Sequence, residues 1–264
     1  MAYWLIDPTN NIELKFDTIQ SIRQTSLSEI KKYNSQSDNE ARVLYSNPLP
    51  LTVTVSGLFH ATTTSFTDYM RKLLYFDKCG EELLLIDGHN GQAYLGYLEA
   101  PNFGKSDETN FTLPFQFSFI MKGQCVGFMA EAEDVNGAWL SPGVVTADAN
   151  ASEGYSIVCN ANLEGGSIEI TQSEWKMPIG DYRIYVRAKD SAHVANDLYI
   201  NTTNATDSSV VASGTKTLTA SYVWYTLDAT LAADDLNNIL VVQAYKGSAT
   251  TNNISIDMIV CVAI

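Results

Sequence analysis

The segment Phe111–Ile120 has an apolar residue at every second position from Phe111 to Phe119, with Thr, Pro, Gln and Ser between them. Successive side chains of a β-strand point to opposite faces, so this period of two predicts a strand with one buried face. The chain must therefore build a sheet that covers a row of phenylalanines. Runs rich in Thr, Val, Ile, Tyr and Phe recur between Gly, Asn, Asp and Pro elsewhere, and they predict a mainly β fold.

One segment has helical spacing instead. Its apolar residues recur at i, i+3, i+4, i+7 and i+8: Phe66, Tyr69, Met70, Leu73 and Leu74. Ser65 and Asp68 form a start that is similar to a capping box, and Gly80 follows the end. The pattern predicts an amphipathic helix over 65–77 that packs one face onto a sheet. The flanking patterns predict a strand at 49–57 and a hairpin with strands at 82–86 and 92–99.

Charge divides the chain into two parts. The 264 residues carry a net charge of −14, and residues 126–264 hold six basic against sixteen acidic side chains. The composition changes near 123–127, which predicts two domains, 1–124 and 125–264. So negative a chain offers little to neutralise a phosphate backbone, which argues against specific nucleic-acid binding.

The second half shows short strand patterns at regular spacing, which is typical of a β-sandwich. They lie near 129–133, 155–159, 167–171, 182–189, 197–201, 208–213, 223–229, 238–246 and 254–263. In the segment 180–189, one strand face is predicted to carry Tyr182, Ile184, Val186 and Ala188, and the other face Arg183, Tyr185, Arg187 and Lys189.

Acidic side chains interrupt the first and last of these strands. They are Glu131 and Glu133 in the first and Asp257 in the last. Burying a carboxylate is costly unless something pairs with it, and Ca²⁺ with its six to eight oxygen ligands could serve all three. The alternative is that they are solvent-facing carboxylates at strand edges.

On these residues the second half resembles the galactose-binding-like jelly rolls found among carbohydrate-binding modules. The resemblance implies a structural Ca²⁺ held by Glu131, Glu133 and Asp257. It also implies a sugar site of loop aromatics and polar residues, for which the candidates are Trp139, Tyr155, Trp175, Asn252 and Asn253, with Tyr222 also considered. Trp224 lies in an apolar run and is expected in the core.

Catalytic signatures are missing from the sequence. His60, His89 and His193 have no second histidine or cysteine at ligand spacing, and the sequence lacks a GxSxG elbow, GxxxxGK[ST] and GxGxxG. We therefore expect no enzyme, with a two-carboxylate glycosidase as the remaining enzymatic hypothesis. The four cysteines show no CxxC spacing and are expected to be mostly buried thiols, with a Cys159–Cys261 bridge left open.

The first half resembles tailed-virus tail proteins, especially distal tail and tail-tube-like subunits. The resemblance rests on the order of a strand ending in Ser56-Gly57, the helix, the hairpin and the phenylalanine-rich strand. It implies an N-terminal β-sandwich or barrel that forms homo-oligomeric rings, usually hexamers, with neighbours completing the sheet. The polar stretch 26–47 is expected to be an exposed arm suited to inter-subunit contact.

Together these features predict a structural virion protein, a distal tail or baseplate ring subunit whose outward C-terminal jelly roll binds host-surface glycans and which contacts other tail proteins. The alternative is a free carbohydrate-binding accessory protein. The N-terminus lacks a basic segment followed by a long apolar one, so we expect no signal peptide and synthesis in the host cytoplasm. No apolar run is long enough for membrane insertion.

Overall fold

A computed structural model describes most of the chain. The described residues are 3–25, 28–34, 41–48, 52–60, 65–107, 111–122, 127–131, 141–171, 179–190, 197–232, 239–247 and 252–264. Over these ranges the protein has twenty strands and one helix, which confirms the predicted mainly β fold.

The first half of the chain contains nine strands and the helix. They are β1 (Tyr3–Asp7), β2 (Ile12–Phe16), β3 (Thr18–Thr25), β4 (Ser28–Asn34), β5 (Ala41–Pro48), β6 (Thr52–His60), α1 (Phe66–Lys78), β7 (Leu83–Asp87), β8 (Gln92–Phe103) and β9 (Thr112–Met121).

The second half contains eleven strands. They are β10 (Gly127–Glu131), β11 (Ser141–Pro142), β12 (Val144–Ala147), β13 (Tyr155–Cys159), β14 (Glu164–Thr171), β15 (Gly180–Asp190), β16 (Leu198–Asn204), β17 (Val210–Lys216), β18 (Val223–Leu231), β19 (Ile239–Lys246) and β20 (Ile254–Ala263).

Two compact units divide the chain. Unit 1 comprises residues 1–15, 84–95 and 125–264, and unit 2 comprises residues 16–83 and 96–124. This division differs from the predicted domains 1–124 and 125–264, because two early stretches lie in the same unit as the C-terminal half. Backbone pairing explains the difference: β1 pairs with β7, and β8 pairs with β10, which in turn pairs with β20.

Unit 2 is built on the sheet that the alternation predicted. In it β6 lies between β3 and β9, antiparallel to both. The buried face carries stacked phenylalanine rings, with centroids 4.3 Å apart for Phe59 and Phe115 and 5.1 Å apart for Phe16 and Phe115. Burying several aromatic side chains on one face supplies most of the hydrophobic stabilisation of such a sheet.

The predicted helix forms and covers this aromatic face. The Ser65 hydroxyl accepts a hydrogen bond from the backbone N–H of Asp68 at 3.2 Å and donates to the Asp68 carboxylate at 2.8 Å. The Tyr69 ring stacks on Phe59 with centroids 4.2 Å apart. Gly80 adopts a φ of 72° just beyond the helix, in the left-handed region that favours glycine. Among the described residues, no helix is both long and apolar enough to cross a bilayer.

Two apolar residues lie outside the faces predicted for them. The buried stripe of α1 is Tyr69, Leu73 and Phe76, and Leu74 is 44% exposed because it lies about 100° around the helix from Leu73. Phe111 is 61% exposed, since its φ of 52° places it in a turn before β9 begins.

The polar excursion predicted at 26–47 contains a β-hairpin. Its strands β4 and β5 pair antiparallel, from Ser28 opposite Pro48 to Asn34 opposite Ala41, and form a two-stranded sheet of their own. The strands that flank it in the sequence, β3 and β6, pair with each other up to Thr25 opposite Thr52. We call residues 28–48 the arm. Seven residues of strand give it a length of about 20 Å.

Unit 1 contains a β-sandwich, as the strand spacing predicted. One sheet runs β12-β13-β20-β15-β18 and the other β11-β14-β19-β16-β17. The core between them includes Ile184 and Val186 from β15, Ile256 from β20, and Ile200 and Val242 from the facing sheet.

A second apolar cluster of unit 1 also includes residues from the first half of the chain. Its members come from β1, β7, β8, β10, β15, β18 and β20: Trp4, Ile6, Leu84, Ile86, Ala93, Leu95, Met129, Tyr185, Trp224, Met258, Val260 and Val262. We call it the second core. β15 therefore contributes buried apolar residues on both of its faces, Val186 to the sandwich and Tyr185 to the second core.

Cys159 and Cys261 are buried in the sandwich core and form no disulfide, so the alternative of a bridge between them is wrong. Burial raises the pKa of the Cys159 thiol to about 12, and the nearby charge of Glu164 acts in the same direction. The Cys159 thiol is therefore protonated at neutral pH and acts as a small apolar side chain.

Candidate functional site

Two of the three acidic positions predicted to share a cation lie close together in unit 1. Pairing of β10 with β20 sets Glu131 opposite Met258, next to Asp257. Ser152 lies between the two carboxylates, its hydroxyl oxygen 2.6 Å from Glu131 Oε2 and 2.9 Å from Asp257 Oδ1. The Ser152 backbone N–H also lies 3.1 Å from Asp257 Oδ1. Glu133 lies outside the described residues.

The cation beside Asp257 is the guanidinium of Arg187. Its Nη1 donates to Asp257 Oδ2, while its Nε and Nη2 donate to the two oxygens of Glu13 at 2.7 and 3.0 Å. Arg187 is only 8% exposed and Asp257 is fully buried. The indole N–H of Trp224 donates to Glu13 at 3.2 Å, which fixes that carboxylate from a third side.

The charges of this cluster affect one another. Burial raises the pKa of Asp257, and the charge and hydrogen bonds of Arg187 act against that rise. Burial acts to lower the pKa of Arg187, but the carboxylates of Asp257 and Glu13 outweigh it and hold the pKa above its usual value. The guanidinium therefore stays charged, and removing it would leave Asp257 as a buried carboxylate without its cation.

A calcium ion does not fit the described part of this cluster while Arg187 holds its position. Both oxygens of Asp257 already accept hydrogen bonds, and a divalent cation in contact with Oδ2 would lie against the guanidinium. The Ca²⁺ site that the sequence predicted at Glu131, Glu133 and Asp257 is untested as a whole, since Glu133 is not described.

A second polar network adjoins the first on β15. Lys189 Nζ donates to Asp148 Oδ2 at 2.5 Å, and the Tyr222 hydroxyl donates to the same oxygen at 2.9 Å. The Tyr222 ring lies under both cations, with Lys189 Nζ 4.4 Å and the Arg187 guanidinium carbon 4.8 Å from its centroid. These distances are within cation–π range, so the ring fixes both side chains.

Hydrogen bonding sets the protonation of this second network. Burial acts to raise the pKa of Asp148, but hydrogen bonds from Lys189, the Asn150 backbone and Tyr222 outweigh it and hold the pKa below its usual value. Burial raises the pKa of the Tyr222 hydroxyl. At neutral pH Asp148 is therefore a carboxylate and Tyr222 a neutral phenol.

The predicted sugar-binding residues do not form one cluster in the described part of the chain. Tyr155 is exposed at the start of β13, opposite Ala147 of β12. The Asn252 carbonyl accepts a hydrogen bond from the buried Lys246, and the neighbouring Asn253 is exposed. Trp139 and Trp175 lie outside the described residues, so the predicted sugar site stays a prediction.

Sequence reasoning missed most of the two networks on β15. It placed Arg187 and Lys189 on one strand face, but Glu13 is 174 positions from Arg187. It expected Trp224 in the core, and the structure confirms its burial. The sequence does contain one signal for these networks. Basic residues recur on one face of β15 within an acid-rich half of the chain, which predicts that they pair with acidic side chains.

Neither a protein-family model nor a curated protein sequence matches this chain. One similar solved structure is SPP1 Dit, described as a paradigm of the hub adsorption apparatus in phages that infect Gram-positive bacteria. It has a TM-score of 0.37 and 10% identity, with 99% of this chain and 98% of that chain covered.

Two further solved structures are similar to about half of the chain. A family 35 carbohydrate-binding module from Clostridium thermocellum has a TM-score of 0.36 and 20% identity, with 51% of this chain and 98% of that chain covered. The tail of an empty gene transfer agent particle has a TM-score of 0.34 and 13% identity, with 49% and 96% covered. These structures are tail proteins and carbohydrate-binding modules, the two classes that the sequence resemblance names.

Proposed function

We propose that this chain is a structural, non-enzymatic subunit of a virion tail. In this proposal it forms a homo-oligomeric ring, with a hexamer favoured, at a distal tail or baseplate position, where it contacts other tail proteins. Its jelly-roll sandwich binds host-surface glycans. The arm is the single observation that carries the ring, since it offers backbone groups for pairing with a second copy.

The arm supports this role through its hydrogen bonding. Within the described residues, β4 and β5 pair only with each other, so each has one edge whose N–H and C=O groups are not used in the sheet. Such edges are templates for strand addition, and proteins commonly cover them. A ring of identical subunits provides the cover, because every arm meets the same neighbouring surface.

The order of elements in the first half of the chain supports the same role. Strand β6, helix α1, the β7–β8 hairpin and the aromatic strand β9 follow one another in the order from which the tail-protein resemblance was drawn. In unit 2 the helix covers the aromatic face, and the arm forms a two-stranded sheet of its own.

The oligomer is tested by shortening the arm. Thr25 and Thr52 are directly opposite in the β3–β6 ladder, so residues 26–51 can be replaced by Asn-Gly, which forms a tight hairpin turn. We expect rings of the unmodified protein in electron microscopy and mass photometry, and monomers of the shortened variant with unchanged circular dichroism.

A matched control keeps the arm and changes only its tip. Asn34 and Ala41 are the last opposed pair of β4 and β5, so replacing residues 35–40 by Asn-Gly preserves both strands. This variant should assemble as the unmodified chain does. A strictly monomeric unmodified protein would contradict the ring, and a monomer that binds glycans would favour the accessory-protein alternative.

A further inference from the structure

A cleft of about 290 Å³ opens beside the two networks of β15. Its lining residues all lie in unit 1: Asn150, Arg187, Lys189, Ala220, Ser221 and Tyr222. The volume is at the lower end of ligand pockets, about 300 Å³, which matches one small ring rather than an extended chain. Of the residues considered for the sugar site from the sequence, Tyr222 lines this cleft, whereas Tyr155, Asn252 and Asn253 do not.

Three polar side chains of the cleft, those of Arg187, Lys189 and Tyr222, are held in place from behind. Arg187 is fixed by Glu13 and Asp257, and Lys189 by Asp148. The ring of Tyr222, itself 5% exposed, lies against both cations. A ligand therefore meets groups that are already ordered, which lowers the entropy cost of binding.

The charges around the cleft favour a ligand without formal charge. Two cations, Arg187 and Lys189, face three carboxylates, Glu13, Asp148 and Asp257, so no cation of these networks lacks an acidic partner. The net charge of −14 on the whole chain also repels anions.

The lining instead offers mixed hydrogen bonding. The Lys189 ammonium has three donors, of which Asp148 takes one, and the side chains of Asn150 and Ser221 add both donors and acceptors. Sugar hydroxyls also donate and accept at once, so such a lining can satisfy them in pairs.

We propose that this cleft binds one ring of a neutral, hydroxyl-rich saccharide, through Lys189 and the side chains of Asn150 and Ser221. The inference rests on the glycan-binding half of the proposed function and assigns that binding to a particular surface. It does not depend on the ring.

The test uses the full-length protein and a double variant, Asn150→Ala with Ser221→Ala. The contacts that the structure gives these residues use the backbone: the Asn150 N–H donates to Asp148 at 3.0 Å, and the Ser221 carbonyl accepts from Thr219 at 2.8 Å. Truncation therefore keeps the fold. The matched control, Asn162→Ala with Ser213→Ala, removes the same groups from exposed positions elsewhere in unit 1.

The probes are a printed array of neutral and uronic-acid-containing oligosaccharides, followed by calorimetric titration with the strongest-binding one. We expect neutral oligosaccharides to bind and the double variant to weaken that binding about tenfold or more, as lost hydrogen bonds require. The control should bind as the unmodified protein does.

Each other outcome overturns the inference in its own way. Equal binding by the double variant would place the glycan site elsewhere and leave the proposed function intact. Binding restricted to acidic oligosaccharides would overturn the neutral ligand. If no oligosaccharide binds, both the proposed cleft site and the proposed glycan binding are wrong. Rings in electron microscopy would still support the proposed role as a tail subunit.

Discussion

Arg187 is a buried cation of unit 1 that pairs with two carboxylates. It is buried between Glu13 and Asp257, and a buried carboxylate that loses its cation costs about 3 to 5 kcal/mol. We expect Arg187→Met to lower the free energy of unfolding by that amount. Chemical denaturation followed by tryptophan fluorescence measures it, since Trp224 contacts Glu13.

The same strand offers the control. Arg183 also pairs with a carboxylate, Asp228, at 2.6 and 2.9 Å, but that Asp228 side chain is 57% exposed. Solvent screens such a pair, and we expect Arg183→Met to cost about 1 kcal/mol or less. If both variants lose the same free energy of unfolding, the burial of Arg187 does not determine how much its ion pairs stabilise the protein.

The effect of Ca²⁺ on stability distinguishes pairing of Asp257 with Arg187 from binding of a calcium ion by the acidic residues. With Arg187 seated on Asp257, we expect the melting temperature to be the same in millimolar Ca²⁺ and in excess chelator. A ligand that binds only the folded state raises stability by mass action, so a higher melting temperature in Ca²⁺ would contradict this expectation. Such a rise would support Glu133 as a ligand together with Glu131 and Asp257.

At the scale of single elements, two adjacent leucines of α1 differ in burial and should therefore differ in their contribution to stability. Leu73 is fully buried in the core of unit 2, whereas Leu74 is 44% exposed. Leu73→Ala leaves a cavity and should cost about 2 to 5 kcal/mol, and Leu74→Ala should change stability by about 0.5 kcal/mol or less. Thermal and chemical unfolding of the two variants provide the comparison. A large loss for Leu74→Ala would imply that a partner covers that face.

Periodicity predicted these elements well, because it is a local property of the chain. The alternation of β9 and the helical spacing of α1 reflect faces that the backbone itself generates. The strand pairs of β1 with β7 and of β8 with β10 carry no such signal, since pairing depends on which distant segment completes the sheet. The short exposed strand β12 also lacks an apolar alternation, and the sequence did not predict it.

At the scale of the whole molecule, contacts between residues far apart in the sequence determine the division into units and the partners of the candidate site. The change in charge near residue 125 predicted two consecutive domains, yet Trp4 and Leu84 belong to the same cluster as Met258. The face of β15 that bears Arg187 was predicted, but its partner Glu13 was not. A candidate site built from residues 13, 148, 187 and 257 becomes visible only once the chain has folded.

This organisation predicts that residues 125–264 are not an independent domain. A fragment with those residues lacks Glu13 as a partner for Arg187, and it exposes the second-core side chains of Met129, Tyr185 and Trp224 to water. Exposed apolar surface and an incompletely paired buried cation both destabilise a fold. We expect the fragment to bind a hydrophobic dye and to melt at a lower temperature than unit 1 of the full chain. Adding residues 1–124 in trans should reverse both effects, because they carry β1, β2, β7 and β8. A fragment that melts cooperatively at the full-length temperature, with no dye binding, would show that the sandwich core alone stabilises the C-terminal half.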